Sequence, residues 1–435
     1  MINLPEKFIA RMKNDLPQEE WGDFFAVYEQ PPVKGLRVNA LKISGELYEK
    51  ISPFTLTRVS WAENAYYTEG EKLGAHPHHF AGLVYSQEPS ATSAVPFLQI
   101  QKGEKVLDLC SAPGGKGTQA AAYLQGEGLV VLNEPIFSRA QILSSNFERM
   151  GVKNAVVLNE YPEKLSSFFG AYFDKIIIDA PCSGEGMFRK NEKEAVAEWS
   201  EENVALCVAR QREILNEGTK MLKVGGRLVY STCTFSVGED EGQVRDYLQN
   251  HSEMKLVTME KLFPHKIKGE GHFVAVFEKI AGENDAFVKE MRAKISPASE
   301  KIYRAFERDF FKTEKFENLY EANGTLYALP KTVFDWKRLK LLRAGVKLGE
   351  IKNGRFEPSH SLAMCVKKEE CKRSIDYPSS DINLDKFLRG ETVECETAEN
   401  GWLVVCADGY PVGLGKAVNG TVKNHIPKGL RKMGD

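Results

Sequence analysis

Between residues 105 and 233 the chain repeats one unit: a short apolar run, a turn, and a helical stretch. Lys105-Val106-Leu107-Asp108-Leu109-Cys110 is the first run, and the turn Ala112-Pro113-Gly114-Gly115-Lys116 leads from it into an Ala- and Gln-rich helix, Thr118 to Leu124. Leu129-Val130-Val131-Leu132-Asn133-Glu134 is the second; it ends in an acid and precedes a helix from about Phe137 to Met150. Ala155 to Asn159 is the third, and Lys175 to Pro181 the fourth. A long helix near Val204–Leu222 ends at Gly225-Gly226, and Arg227 to Cys233 is the fifth run. His272 to Phe277 is expected to close the sheet as an edge strand. Strand and helix in turn predict a doubly wound α/β fold. Runs apolar at nearly every position suit a parallel sheet covered on both faces. Such sheets bind ligands beyond the carboxyl ends of their strands, and the polar residues of interest fall there.

The flanking regions are less regular. Residues 1 to about 90 hold short helical and strand-like pieces, and Gly35 to Lys42 alternates like a half-buried strand. Residues ~281–435 are richer in Lys and Arg, with Gly-bounded short strands near the end. A length of 435 residues, 42% of them hydrophobic, predicts two or three domains with real cores. The formal net charge of -2 excludes nucleic-acid binding through overall charge, so any such binding must use local basic patches. Candidates are Lys416, Lys423, Lys428, Arg431 and Lys432, set against Asp435, and the stretch from Leu342 to Phe356. Charge runs are also commonly solvated faces. Met1 to Phe25 lacks the pattern of a signal peptide, and no apolar run is of transmembrane length, so a cytoplasmic protein is expected. The eight cysteines include no C-x-x-C pair. Cys365, Cys371, Cys395 and Cys406 match no common zinc spacing, and no metal is expected.

The turn after the first strand is not a P-loop, because Lys116 is followed by Gly117 and the position five before Gly115 is Cys110. The dinucleotide pattern G-x-G-x-x-G is also absent. What remains is a Gly-rich turn into a helix, with Glu134 at the end of the second strand. A carboxylate there can accept from both ribose hydroxyls of an adenosine. A nucleoside cofactor without phosphate fits this, and S-adenosylmethionine is one; otherwise Glu134 is a solvated strand end.

Two cysteines stand where the active site of such a sheet lies. Asp179-Ala180-Pro181-Cys182-Ser183-Gly184 ends the fourth strand and Ser231-Thr232-Cys233-Thr234 the fifth. A thiolate adding at C6 of a cytosine makes C5 an enamine carbon able to attack a methyl sulfonium, and cysteine is both a strong nucleophile and a fair leaving group. A nearby acid must hydrogen-bond the N3/N4 edge of the ring, and Asp179 is three residues from Cys182. Either cysteine alone reads as core packing; two on neighbouring strand ends do not. Cys207, inside a helix, reads as core, and Cys110 is expected to matter through its backbone.

Cys110-Ser111-Ala112-Pro113-Gly114-Gly115-Lys116, the Asp179–Gly184 turn and Ser231–Thr234 together resemble the Nop/Sun family of RNA 5-methylcytosine methyltransferases, and look closest to its bacterial small-subunit (16S) ribosomal RNA branch. Gly269-Glu270-Gly271-His272-Phe273 and Lys423 to Arg431 support that branch. The resemblance implies a Rossmann-like class I methyltransferase sheet at 91–280, a small N-terminal RNA-docking subdomain at 1–90, a linking region at 281–370 and a PUA-like RNA-binding region at 371–435. It implies S-adenosylmethionine as cofactor, held by residues 110–116, Glu134, Arg139 and Asp179, and RNA as partner, with 16S ribosomal RNA or the small subunit foremost. Cys233 would be the nucleophile and Cys182 would help to expel it. Lys116 would reach toward the base, and Arg37 and Asn39, in an R-x-N-x-L-K element, would support RNA docking. The family often has an Asp after the third strand near the adenine amino group; here Asn159 stands there, with Glu160 as the alternative. A DNA cytosine methyltransferase would use the Pro-Cys turn but has no need of Cys233. A non-catalytic RNA binder on the same fold has no need of an intact site.

Overall fold

The computed structural model describes residues 2–69, 73–286, 288–395 and 399–433. Its centre is an eight-stranded sheet of β1 (Lys105–Asp108), β2 (Leu129–Asn133), β3 (Ala155–Leu158), β4 (Phe173–Asp179), β5 (Leu222–Thr232), β6 (Met254–Leu262), β7 (His272–Lys279) and β8 (Leu341–Ala344), in the order β6-β7-β5-β4-β1-β2-β3-β8. The first five strands are parallel. From β1 the chain winds through β2 and β3 to one side, then returns through β4 and β5 to the other. The crevice between the ends of β1 and β4 is therefore the topological switch point where such folds bind ligands. The helices Gly115–Leu124, Phe137–Arg149 and Glu201–Met221 follow β1, β2 and β4. Ser200 starts the last of these by accepting from the Asn203 N–H, a normal N-cap. Two buried apolar clusters contain the inward residues of β1–β5, one with Leu107, Val131 and Ile176, the other with Val106, Val130 and Ile177.

Two expectations change. His272–Lys279 is interior, paired antiparallel with β5 on one side and with β6 on the other. The true edge, β6, carries Lys255, Thr258, Glu260 and Lys261 and is mostly solvated, so it gives no apolar run to notice. The opposite edge is closed by β8, which runs antiparallel to the wholly buried β3. That strand comes from the stretch read as a basic surface. Its Arg343 is buried beside Glu148, and Lys347 and Lys352 both pair with Glu350. These charges are spent within the protein.

The N-terminal region forms a four-stranded antiparallel sheet, Thr55–Arg58, Ala65–Glu69, Gly35–Val38 and Val84–Ser86 in spatial order. Gly35–Val38 is buried at all four positions rather than alternating, because it lies inside this sheet and both of its faces are covered. Residues Leu36, Val38 and Leu83 share one apolar core with Leu403 and Val405 of the C-terminal five-stranded sheet and with Phe387 of the helix Ile382–Arg389. That sheet joins Ser374–Tyr377, Gly401–Ala407, Tyr410–Val418, Thr421–Asn424 and Val393–Glu394, the first pair parallel. Between it and the central domain lie the helix Pro297–Phe310 and a four-stranded sheet of Leu319–Ala322, Thr325–Ala328, Val346–Lys352 and Arg355–Pro358. Cys365, Cys371 and Cys406 are buried in one apolar cluster and Cys395 in another. Among the described residues no helix is long and apolar enough to cross a membrane.

Candidate active site

The two cysteines meet. Asp179 on β4 lies opposite Ser231 on β5, so the turns that follow run side by side. Cys182 Sγ is 3.2 Å from Cys233 Sγ, and the Cys233 N–H donates to Cys182 Sγ at 3.3 Å. The bond to Cys233 and then burial push the Cys182 thiol well up, so Cys182 keeps its proton. The turn carrying Cys182 is braced from beneath. Glu239, fully buried, accepts from the Ser183 N–H at 2.9 Å, from Ser183 Oγ at 2.5 Å and from Gln211 Nε2 at 2.9 Å. Gln211 Nε2 also donates to the Pro181 carbonyl at 3.1 Å. The Gly186 N–H donates to the Cys233 carbonyl at 2.9 Å, and a Cβ at Gly186 would lie 3.0 Å from that oxygen, so glycine is required for the close approach.

Asp179 faces Lys116. Lys116 Nζ is 2.8 Å from Asp179 Oδ1, which also accepts from Ser231 Oγ at 2.9 Å. Burial pushes this carboxyl up, but Lys116, His272 and Ser231 together hold it below its ordinary value. The Lys116 side chain is 5% exposed and that of Asp179 38%, so the pair opens to solvent on the carboxylate side.

The cofactor turn is fixed by residues on three strands. Ser111 Oγ donates to Asp108 Oδ2 at 2.9 Å, and the Ser111 N–H to the Asn133 carbonyl at 2.9 Å. Gly114 has φ +114°, where a Cβ would be strained and would meet Leu143 at 3.1 Å. Cys110 lies just past the end of β1, and burial pushes its thiol up. Arg139 ties the turn to Glu134: its Nη2 donates to the Ala112 carbonyl at 3.1 Å and its Nη1 is 3.5 Å from Glu134 Oε2. Asn146 Nδ2 holds the Pro113 carbonyl at 2.9 Å. Glu134 is 2% exposed, and its Oε1 accepts from the Ile136 N–H at 3.0 Å. Asn159 Nδ2 donates to the carbonyls of Glu134 and Pro135 at 2.9 and 2.8 Å. Its amide nitrogen is thus committed, and the oxygen Oδ1 is what it can offer. Glu160 Oε1 instead accepts from the Lys340 N–H at 2.8 Å, which ties it to the approach of β8 rather than to a ligand.

Every residue expected at the site from sequence thus falls along the ends of β1 to β5. Arg37 and Asn39 do not face outward. Arg37 is 2% exposed and donates to Gln87 Oε1 at 3.0 Å, to the Gly115 carbonyl at 3.0 Å and to Thr118 Oγ1 at 2.6 Å. Asn39 Nδ2 holds the carbonyls of Gly82 and Met150, both at 2.8 Å. Lys42, in the same element, reaches the carbonyls of Ala81 at 2.7 Å and Arg149 at 3.2 Å. The R-x-N-x-L-K element is a strut behind the cofactor turn and the end of the next helix, not an RNA contact. Sequence reasoning passed over Glu239, Gln211 and Asp108. It also passed over Ile136, a side chain 51% exposed next to Glu134, where a large exposed apolar group is itself a signal.

Relatives fit this geometry. Over 99% of its length the chain is 32% identical to ribosomal RNA small subunit methyltransferase F of Vibrio vulnificus, of which it covers 98%. The counterpart in Vibrio cholerae is 30% identical over the same shares. The model of the 16S rRNA methyltransferase RsmB/F family matches residues 95–291. The chain belongs to the RsmB/F family of 16S rRNA methyltransferases. Three further models match the remainder: the N-terminal domain of RsmF at 4–89, its first C-terminal domain at 305–366 and its PUA domain at 375–432. Among solved structures, a methyltransferase homolog from Pyrococcus horikoshii aligns with TM-score 0.57 at 26% identity, over 63% of this chain and 96% of that one. NSun6 from the same organism aligns with TM-score 0.58 at 20% identity, over 64% and 99%, and shows the shared fold. For an RsmB/F member, a sheet-end crevice with two thiols, an acid and a glycine turn is the place to expect the chemistry.

Proposed function

We propose that this rRNA methyltransferase takes its methyl group from S-adenosylmethionine and places it on C5 of a cytosine in 16S ribosomal RNA. The observation that carries this is the pair of thiols 3.2 Å apart at the ends of adjacent strands, with Asp179 on the same strand end as Cys182. The residues present fit the cofactor. Glu134 offers a carboxylate to ribose hydroxyls, Asn159 Oδ1 an acceptor to the adenine amino group, and Ile136 an apolar wall. Asp108, fully buried beside the turn, leaves Oδ1 without a partner among the described residues. When bound, S-adenosylmethionine supplies a methyl group on positively charged sulfur.

The protein's own part begins with a flipped or unpaired base, since C5 and C6 are unreachable inside a helix. Asp179 accepts from the N4 amino group and orients the ring, and the electron density displaced by addition at C6 runs through C5 and C4 onto N3. Cys233, as thiolate, adds at C6, and C5 becomes nucleophilic. After methylation the C5 proton passes to water, the C5–H pair restores the ring double bond, and the C6–S pair leaves with the Cys233 sulfur. Cys182, which holds its proton, is placed to deliver it to the departing Cys233 sulfur. Lys423, on the last strand, and Lys428, in the turn after it, are exposed basic groups open to RNA phosphates, whereas Lys432 pairs with Asp385 at 2.6 Å.

The test supplies labelled S-adenosylmethionine with small ribosomal subunits, free ribosomal RNA, transfer RNA or DNA. Label at C5 of cytosine in ribosomal RNA is expected. Label only in DNA, or in no cytosine, overturns the reading. Cys182→Ala is expected to accumulate a covalent RNA adduct and Cys233→Ala to form none; the reverse pattern exchanges their roles.

A further inference from the structure

One buried side chain at the site has no use in this chemistry. His272 opens β7 beside the end of β5 and is 2% exposed. Neither ring nitrogen meets a partner at ordinary hydrogen-bond geometry among the described residues, the Gly271 backbone being the one polar main-chain group that acts on the ring. Leaving a buried polar group unpaired costs stability, and an apolar ring would fill the same space without that cost. The imidazole therefore calls for a use. Its Nε2 lies 4.0 Å from Asp179 Oδ1, the oxygen already held by Lys116 and Ser231. Burial and then Lys116 push the imidazole down to about 3, so the ring is neutral at physiological pH, with one N–H and one lone pair.

The Lys116–Asp179 pair and a bound base compete for the same carboxylate. Lys116 and Ser231 both hold Oδ1, so a base meets Asp179 through Oδ2, and any loosening of Lys116 as the base docks leaves Oδ1 with a single hydroxyl donor. We propose that His272 is the positioning residue for Asp179, its Nε2–H taking hold of Oδ1 as Lys116 releases it. A closing movement of about 1 Å turns the 4.0 Å gap into an ordinary hydrogen bond. A neutral donor suits the task, because it fixes the carboxylate without cancelling the charge that polarises the base. Ser231 holds the same oxygen throughout. The titratable groups facing Asp179 are Lys116 from the helix after β1, Asp108 and Cys110 from β1 and its end, and His272 from β7. The inference rests on the role given to Asp179 under the proposed function.

The test uses the full chain with ribosomal RNA and S-adenosylmethionine. His272→Phe is expected to lower kcat about five- to tenfold, the worth of one lost hydrogen bond, with KM for both substrates nearly unchanged. A carboxylate that loses a donor ionises less readily, so the acid limb of the kcat/KM profile is expected to move up by about half to one pH unit. His272→Gln, which keeps an N–H, is expected to recover most of both. In an Asp179→Asn background His272→Phe is expected to cost nothing more. If the phenylalanine variant does not fold, His272→Leu makes the same comparison. Wild-type kcat and acid limb in the apolar variant overturn the inference, as does a loss with an unmoved limb that glutamine does not rescue. Unchanged activity in Asp179→Asn overturns the role of Asp179 itself; its loss beside a normal His272→Phe overturns this inference alone.

Discussion

The N-terminal sheet, with the turn after its Gly35–Val38 strand, makes two contacts of different character. Toward the central domain it presents Arg37, Asn39 and Lys42, which reach the carbonyls of Gly115, Met150 and Arg149. Glu270 strengthens the same side, accepting from the Val33 N–H at 2.6 Å while Arg189 pairs with its other oxygen at 2.7 Å. Toward the C-terminal region the contact is mainly apolar, Leu36, Val38 and Leu83 against Phe387, Leu403 and Val405, with one polar tie from His78 Nε2 to Asp408 Oδ2 at 2.9 Å. Apolar burial is non-directional and scales with area. Buried hydrogen bonds fix positions and penalise every departure from them. The apolar contact therefore attaches, whereas the polar one aligns a loop that must hold a cofactor.

The difference is open to measurement. Arg37→Met would take the guanidinium from Gln87 Oε1 and leave the Gly115 carbonyl to the weaker Thr118 hydroxyl. Methyl transfer is expected to fall about 100-fold in kcat/KM for the cofactor, with an unfolding free energy lower by about 3 kcal/mol. Steady-state kinetics beside denaturant melts check both. Phe387→Ala, at the apolar contact, is expected to cost a similar ~3 kcal/mol by opening a cavity, but to leave the turnover of folded protein within about twofold. Equal losses of turnover in the two variants would erase the distinction. A smaller effect belongs to Lys42, which burial and then Arg149 push down to about 7. The unfolded lysine, near its ordinary value, binds more protons than the folded one between about pH 7 and 10.5, so stability is expected to rise with pH across that window. Lys42→Met should flatten that slope in melts taken at pH 7 and 9. Smallest of all, Lys423→Ala and Lys428→Ala should leave stability within about 0.5 kcal/mol. Each should lower the slope of log binding constant against log salt by about 0.7–0.9 in an RNA titration.

The legible part of the molecule was the part whose chemistry is local in the chain. Cys182, Cys233, Asp179, Lys116 and Glu134 each end a strand or start a turn, and a parallel sheet brings strand ends together whatever lies between. The brace of Glu239 and Gln211 was not legible, because its bonds to Ser183 and Pro181 span 56, 28 and 30 residues and no motif links them. Arg37 and Asn39 are assigned to RNA docking only by the R-x-N-x-L-K element of the family resemblance, and a motif does not show which way its side chains face. Their acceptors, Gly115, Gly82 and Met150, act through main-chain oxygen, which every residue has and no side chain announces. The edge strands escaped for a related reason: β6 is too polar and β8 too short to stand out, and only the needs of their neighbours explain them.

The strand β8 has a consequence for anyone cutting the chain. Residues 95–291 read as a self-contained catalytic unit, yet the sheet they form is finished by Leu341–Ala344, and Phe334 and Trp336 lie in its core. A fragment ending near 291 would expose the unpaired edge of β3, four buried apolar residues in a row, as a template for intermolecular pairing. Proteolytic trimming or truncation at that boundary would yield not a smaller enzyme but an adhesive one.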